Sequence, residues 1–167
     1  SFDTFNLDIM YALPGQTLEQ AGEDMDLALT FAPPHISIYH LTIEPNTVFA
    51  LRPPVLPDDD LASDMLDLIA QRTAAAGLQR YEVSAFAQPG HRCAHNLNYW
   101  QFGDYLGIGA GAHGKLSRAS GLLRTSKRRH PLAYMKEPND ERQTVPAAEL
   151  IPEFAINALR LVAGFSA

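Results

Sequence analysis

Strand-like and helix-like runs alternate through residues 4–86, joined by connections too long for hairpins, and that alternation restricts the chain to a small set of α/β folds. From Thr4 to Leu13, Phe5, Leu7 and Ile9 fall on one face and Asn6, Asp8 and Met10 on the other, which is the period of a strand. Pro14-Gly15 marks a turn. Thr17 and Gln20 form a capping-box pair, and Leu18, Ala21, Met25, Ala28 and Leu29 share one side of a helix that halts before Pro33-Pro34. Ile36 to Thr42 is a second β-branched and aromatic run. Asp58-Asp59-Asp60 places negative charge where a second helix begins, and Leu61, Met65, Leu68, Ile69 and Arg72 share its face. Gly77 suits the position after its end, and Tyr81 to Phe86 reads as a third strand. Right-handed βαβ crossovers then predict Thr4–Met10, Ile36–Leu41 and Tyr81–Ala85 as adjacent parallel strands, with helices Leu18–Phe31 and Leu61–Ala76 on one face.

After Pro89 the pattern turns glycine-rich and aromatic, which divides the chain into regions 1–90 and 91–167. Lys115 to Arg118 and Leu122 to Ser126 flank Ala119-Ser120-Gly121 as an antiparallel hairpin, and Glu149 to Val162 has nearly helical apolar spacing. With 167 residues, 46% of them hydrophobic and 19% charged, the chain can bury a core. Its net charge is −6, and the one dense basic stretch, Lys127-Arg128-Arg129-His130, reads as a solvated loop. Nucleic acid is therefore not an expected partner. No apolar run approaches the roughly 20 residues of a membrane span. A single cysteine, Cys93, excludes an internal disulfide framework and a four-cysteine zinc site, and points to a reducing compartment. Ser1-Phe2-Asp3 runs straight into a strand and the last helix stops shortly after Gly164, so further chain is expected on both sides.

Ligand groups in a parallel sheet gather at the carboxyl ends of its strands. Asp8 stands there inside an apolar strand, where a carboxylate is costly unless satisfied; it reads either as a functional group or as one bonded to loop amides. Gly109-Ala110-Gly111-Ala112-His113-Gly114 matches G-x-G-x-x-G, and with Lys115 it nearly matches a phosphate loop. Leu116 stands where that loop needs Ser or Thr, and the residues that follow read as strand and turn rather than as a helix presenting its N-terminal amides. Both nucleotide readings fail on that helix. The glycines still permit close backbone approach, and they carry His113.

Five segments carry a resemblance that none carries alone: Leu7-Asp8-Ile9-Met10-Tyr11-Ala12-Leu13-Pro14-Gly15-Gln16, Leu41 to Thr47, Tyr81 to Phe86, His95-Asn96-Leu97-Asn98-Tyr99-Trp100 and Gly107 to His113. In order along the chain they resemble the HemW family of radical S-adenosylmethionine proteins, relatives of oxygen-independent coproporphyrinogen III oxidase. The resemblance implies a partial (β/α)6 barrel that holds a [4Fe-4S] cluster and S-adenosylmethionine. This chain would supply the second half of that barrel, three parallel strands with their helices, and then the start of a small mixed α+β C-terminal region. The family's cluster cysteines, in a C-x-x-x-C-x-x-C motif, precede these segments, and Cys93 does not match them. The fragment alone is thus expected to hold no cluster and to be inactive.

The resemblance also assigns residues. Asp8 matches an aspartate that contacts S-adenosylmethionine in the oxidase branch; Thr42 and His113 fall on further cofactor positions, although Thr42 reads equally well as ordinary strand packing. The H-N-x-x-Y-W signature is similar to HemW rather than to the oxidase. It implies heme contact, with His95 ligating heme iron and Tyr99 and Trp100 packing on the macrocycle. Outside that family context a loop histidine is ordinarily structural. Heme is then the cargo, passed to respiratory-chain proteins by a cytoplasmic protein that visits the inner membrane peripherally during delivery. The rival is the oxidase itself, which decarboxylates coproporphyrinogen III to protoporphyrinogen IX. Half a barrel would leave Asn6, Asp8, Met10, Glu82 and Ser84 facing an open lumen beside a bare strand edge, so a homo-oligomer is expected.

Overall fold

In the computed structural model, which describes residues 4–165, the predicted strand–helix–strand opening forms β1 (Asn6–Tyr11), α1 (Leu18–Thr30) and β2 (His35–His40). Ser1 to Asp3, one basis for expecting earlier chain, lie outside the described residues. β1 and β2 pair in parallel from Asn6↔His35 to Tyr11↔His40. The capping box forms: Thr17 Oγ1 accepts from the Gln20 amide at 3.2 Å, and Gln20 Oε1 accepts from the Thr17 amide at 2.9 Å. A one-turn helix that the sequence did not signal, α2 (Val48–Leu51), precedes α3 (Asp59–Ala75). Asp58 caps α3 by accepting from the Leu61 amide at 2.9 Å, and Gly77 follows it with φ +80°. Helices α1 and α3 pack on each other, and Met25, Met65 and Ile69 meet Ile36, Ile38, Leu78 and Phe86 in a buried apolar cluster.

The third strand departs from expectation. Tyr81–Ala85 is not one parallel strand; β3 (Gln79–Glu82) turns at Val83-Ser84 into β4 (Ala85–Ala87). β4 lies antiparallel beside β2, with Ser37↔Ala85 and His35↔Ala87, and the sheet order is β1-β2-β4-β3. Of the three adjacent parallel strands expected, only β1 and β2 are so paired, and the sheet is mixed. The turn was invisible because Val83-Ser84 carries none of the Gly, Asn or Pro chemistry that marks a tight hairpin, while Tyr81, Val83 and Phe86 all favour strand. β3 also bulges against β4: Arg80 pairs with Phe86 and Glu82 with Ala85, leaving Tyr81 as the extra residue.

Residues Ser1–Cys93 and Ala94–Ala167 form two compact units. The second begins with α4 (Ala94–Trp100), so His95 to Trp100 is helical and not the expected loop. The predicted hairpin forms as β5 (His113–Arg118) and β6 (Gly121–Lys127). After α5 (Pro131–Lys136), β7 (Asn139–Thr144) adds a third antiparallel strand in the order β5-β6-β7. Helix α6 (Ala147–Ala158) starts and ends earlier than the predicted Glu149–Val162. The basic run is not a free loop either, because Lys127 ends β6 and Arg128 pairs with Glu137 at 3.0 Å.

Candidate functional site

The alternation of β1 turns Leu7, Ile9 and Tyr11 toward the helices and leaves Asn6, Asp8 and Met10 exposed on the opposite face, as the sequence predicts. In-register pairing sets His35 and Ser37 of β2 beside Asn6 and Asp8. A polar chain crosses this face. The Asn6 amide donates to Asp8 Oδ1 at 2.8 Å, and Asn6 Oδ1 accepts from His35 Nδ1 at 2.6 Å and from the Ser37 hydroxyl at 3.2 Å. On the other side of the imidazole, Nε2 meets the Tyr81 hydroxyl at 2.8 Å, and that hydroxyl accepts from the Cys93 amide at 3.2 Å. The bulge explains how Tyr81 reaches His35: with Glu82 paired to Ala85, the additional residue turns its ring to the same face, and Ala85 and Ala87 are too small to obstruct it.

His35, Ser37, Tyr81 and Glu82 are buried, whereas Asp8 is exposed, so the chain runs from a dry end to a wet one. Burial holds the His35 pKa below the ordinary imidazole value, against the opposing charges of Glu82 and Asp8. The neutral ring is therefore the favoured form. Asp8 Oδ2 makes no hydrogen bond within the described chain and remains available to donors from outside it. Thr42 lies exposed, two residues beyond the end of β2. None of His35, Ser37, Tyr81 and Glu82 was singled out as a site residue from sequence. The available signal was a histidine and a serine alternating with Ile36 and Ile38, opposite two polar residues of β1.

The second unit holds the remaining candidates. Lys115, the residue that nearly completes the phosphate-loop pattern, is buried and already engaged. Its Nζ donates to the Phe102 and Gly103 carbonyls at 2.6 and 3.2 Å, lies 3.4 Å from Asp104 Oδ1, and sits 3.9 Å from the centre of the Phe102 ring. Burial lowers its pKa despite the neighbouring Asp104. Asp104 in turn accepts from the Ser117 amide and hydroxyl, each at 2.8 Å, and these bonds hold its pKa below the usual aspartate value. This lysine serves the fold and not a phosphate. The backbone of His113 is fixed beside it: Tyr105 and Lys115 exchange two backbone bonds of 2.9 Å, and a Cβ on Gly107 would come within 2.5 Å of the His113 carbonyl oxygen. The exposed His113 imidazole borders a polar trough of about 490 Å3, shared with Ser126, Arg128, Arg129 and His130.

On α4, His95 and Tyr99 are one turn apart and meet edge to face with ring centres 4.6 Å apart. Tyr99 makes a second edge contact with Tyr105, also at 4.6 Å, and the Arg160 guanidinium covers Trp100 at 4.2 Å. His95 is exposed; Tyr99 and Trp100 are half-buried. Phe102, Leu122, Leu150, Ile151 and Phe154 also line an apolar groove of about 450 Å3 that the sequence reading did not anticipate. Asp8 and Thr42 thus belong to one unit, and His95, Tyr99, Trp100 and His113 to the other. Among the described residues no cluster of three or more His, Cys, Asp or Glu side chains has the arrangement of a metal site.

No family model matches the chain. The heme chaperone HemW of Escherichia coli is 53% identical to it over 161 residues, which cover 95% of this chain and 43% of that protein. Heme chaperone HemW of Haemophilus influenzae is 52% identical, over 95% of this chain and 42% of its own length, and that of Bacillus subtilis 33% identical, over 99% and 45%. Among solved structures, Escherichia coli coproporphyrinogen III oxidase (HemN), described as a radical SAM enzyme, superposes with a TM-score of 0.74 at 18% identity, covering 96% of this chain and 41% of that one. At that identity the likeness establishes a shared fold. The chain spans less than half the length of these relatives, and over the segment it spans it belongs to the HemW family.

Proposed function

We propose that the chain is part of a HemW-type heme-binding protein that carries heme to respiratory-chain acceptors on a radical S-adenosylmethionine scaffold. The observation that carries this reading is the 53% identity to a heme chaperone across 95% of the chain. In the complete protein β1 and β2 would be strands of a partial (β/α)6 barrel, with the β3–β4 hairpin at the edge of that sheet. S-adenosylmethionine would meet Asp8, Thr42 and His113. The exposed Asp8 carboxylate, with one oxygen unpartnered, suits the ribose hydroxyls or the ammonium of that cofactor. The cofactor, with a reduced cluster, is a source of radical chemistry. A [4Fe-4S] cluster does not fit this segment, because its one cysteine cannot supply the thiolates. His95 would ligate heme iron, supported by its exposed imidazole, and Tyr99 and Trp100 would border the macrocycle. The protein would act in the cytoplasm, meet the inner membrane only peripherally, and self-associate when reduced to this segment. Among the described residues no helix is long and apolar enough to cross a membrane.

Heme titration of the complete protein tests the ligand assignment. His95→Ala is expected to lose the Soret shift of the bound state, while His113→Ala keeps it and loses affinity for S-adenosylmethionine. An unchanged Soret band in the His95 variant removes that residue from the iron. The oxidase reading rests on the shared fold, and decarboxylation of coproporphyrinogen III by the same preparation would restore it.

A further inference from the structure

The polar chain on the face opposite α1 and α3 has a fixed direction. The Asn6 amide nitrogen donates to Asp8 Oδ1 at 2.8 Å, which turns the carboxamide oxygen to His35 and Ser37. An acceptor 2.6 Å from His35 Nδ1 requires the proton on Nδ1. Nε2 of the neutral ring is then the acceptor, and the Tyr81 hydroxyl donates to it while accepting the Cys93 amide. Every bond from Cys93 to Asp8 points the same way. The charged groups around the imidazole are Glu82 on β3 and Asp8 on β1, and the Arg92 guanidinium stands 5.7 Å from the Tyr81 ring centre.

We propose that His35 is a positioning residue for Asp8: its Nδ1–H orients the Asn6 carboxamide, which holds Asp8 Oδ1 and presents Oδ2 to the hydroxyl or ammonium donors of a bound cofactor. This rests on the reading of Asp8 as a cofactor contact. Asn6 by itself is an exposed side chain with free rotamers, and only its cross-strand contacts fix which end of its amide meets the carboxylate. A carboxylate clamped through one oxygen keeps its second lone-pair set at a defined angle. Two side chains buried on β2 and at the bulge thereby set the geometry of one exposed group on β1.

The test uses the complete, cluster-containing protein and calorimetric binding of S-adenosylhomocysteine. Asp8→Asn should weaken binding most. His35→Gln, whose amide reaches the Nε2 position and not the Nδ1 position, should weaken it about fivefold, the worth of one ordinary hydrogen bond. His35→Asn places an amide nitrogen where Nδ1 was and should return affinity to within about twofold of wild type. Wild-type affinity in His35→Gln alongside a weakened Asp8→Asn overturns the proposal, and so does equal weakening in both His35 variants, which marks a packing role. Should Asp8→Asn bind as wild type does, the cofactor reading of Asp8 fails. The relay then stands or falls on nitrogen-15 spectra of the histidines, in which His35 is expected as the Nδ1–H tautomer; an Nε2–H tautomer overturns it whatever Asp8 does.

Discussion

In the first unit the largest fully buried side chains are apolar, among them Phe86, Met25, Ile36, Met65, Ile69 and Leu78, whereas among the described residues of the second the one of comparable size is Lys115. The two stretches of one chain therefore resist unfolding by different means. Met25, Ile36 and Met65 are wholly inaccessible, and their contribution is the transfer of apolar surface from water, which tolerates small displacements. Around Lys115 the fold rests on directed contacts: carbonyls of Phe102 and Gly103, the Asp104 carboxylate and the hydroxyl and amide of Ser117. Buried hydrophobic residues in that unit are few among those described, namely Leu122, Val145 and Ala158. A network of this kind is sensitive to the loss of any member, because each leaves a partner unsatisfied.

The largest effect should come from Met65→Ala. Truncating a fully buried methionine costs about 2–5 kcal/mol, and hydrogen exchange should accelerate in β1, β2, α1 and α3 while β5 and β6 keep their protection. Equal acceleration across β5–β6 would break the contrast between the units. Lys115→Met keeps the volume and removes the ammonium. Two carbonyls lose their donor, and the desolvation of a buried cation is relieved; the balance is a loss of about 1–3 kcal/mol, with exchange rising in residues 102–118. A gain in stability would show that the charge is a liability and the packing alone holds this unit.

The smallest effect separates the units by acid. His35 has its pKa lowered by burial, so the unfolded chain takes up a proton first as pH drops below about 6.5. The stabilisation it gives is complete above that value and is lost as pH falls through the folded pKa. Asp104 is also lowered, by the Ser117 bonds, and its contribution is complete above the ordinary carboxylate pKa of about 3.9 and is lost only below it. Denaturant midpoints followed by circular dichroism should start to fall near pH 6, while the fluorescence of Trp100, the only tryptophan and a member of the second unit, stays constant until the carboxylate range. Simultaneous change in both signals near pH 6 would contradict separate acid limits.

What sequence discloses follows the same divide. Helices α1 and α3 are legible because their ends are written locally, in Thr17 with Gln20 and in Asp58, and their faces repeat at helical spacing. The β3–β4 hairpin is not, since Val83-Ser84 has no turn chemistry, and β7 is hidden because Asn139 to Thr144 is polar throughout and owes its strand to β6. Asp8 stands out as a carboxylate in an apolar strand. Its relay does not, because Asn6 meets His35 across 29 positions and His35 meets Tyr81 across 46. Contacts so distant leave no periodic trace.

The glycine-rich segment has a consequence for anyone weighing tolerated substitutions along residues 107–114. Gly109, at the head of the dinucleotide-like pattern, has open space where a methyl would stand, and its demand is a backbone angle of +104°. Gly107 and Gly114 are shut by sterics instead. A methyl on Gly114 would lie 2.6 Å from Thr125 Oγ1 and 3.0 Å from the Gly107 nitrogen, and one on Gly107 would lie 2.5 Å from the His113 carbonyl oxygen. In a mutational scan these two positions would register as intolerant as any ligand contact. That intolerance would record where two stretches of main chain cross, so a map of selective pressure over this loop would mark a crossing point in the backbone and say nothing about cargo.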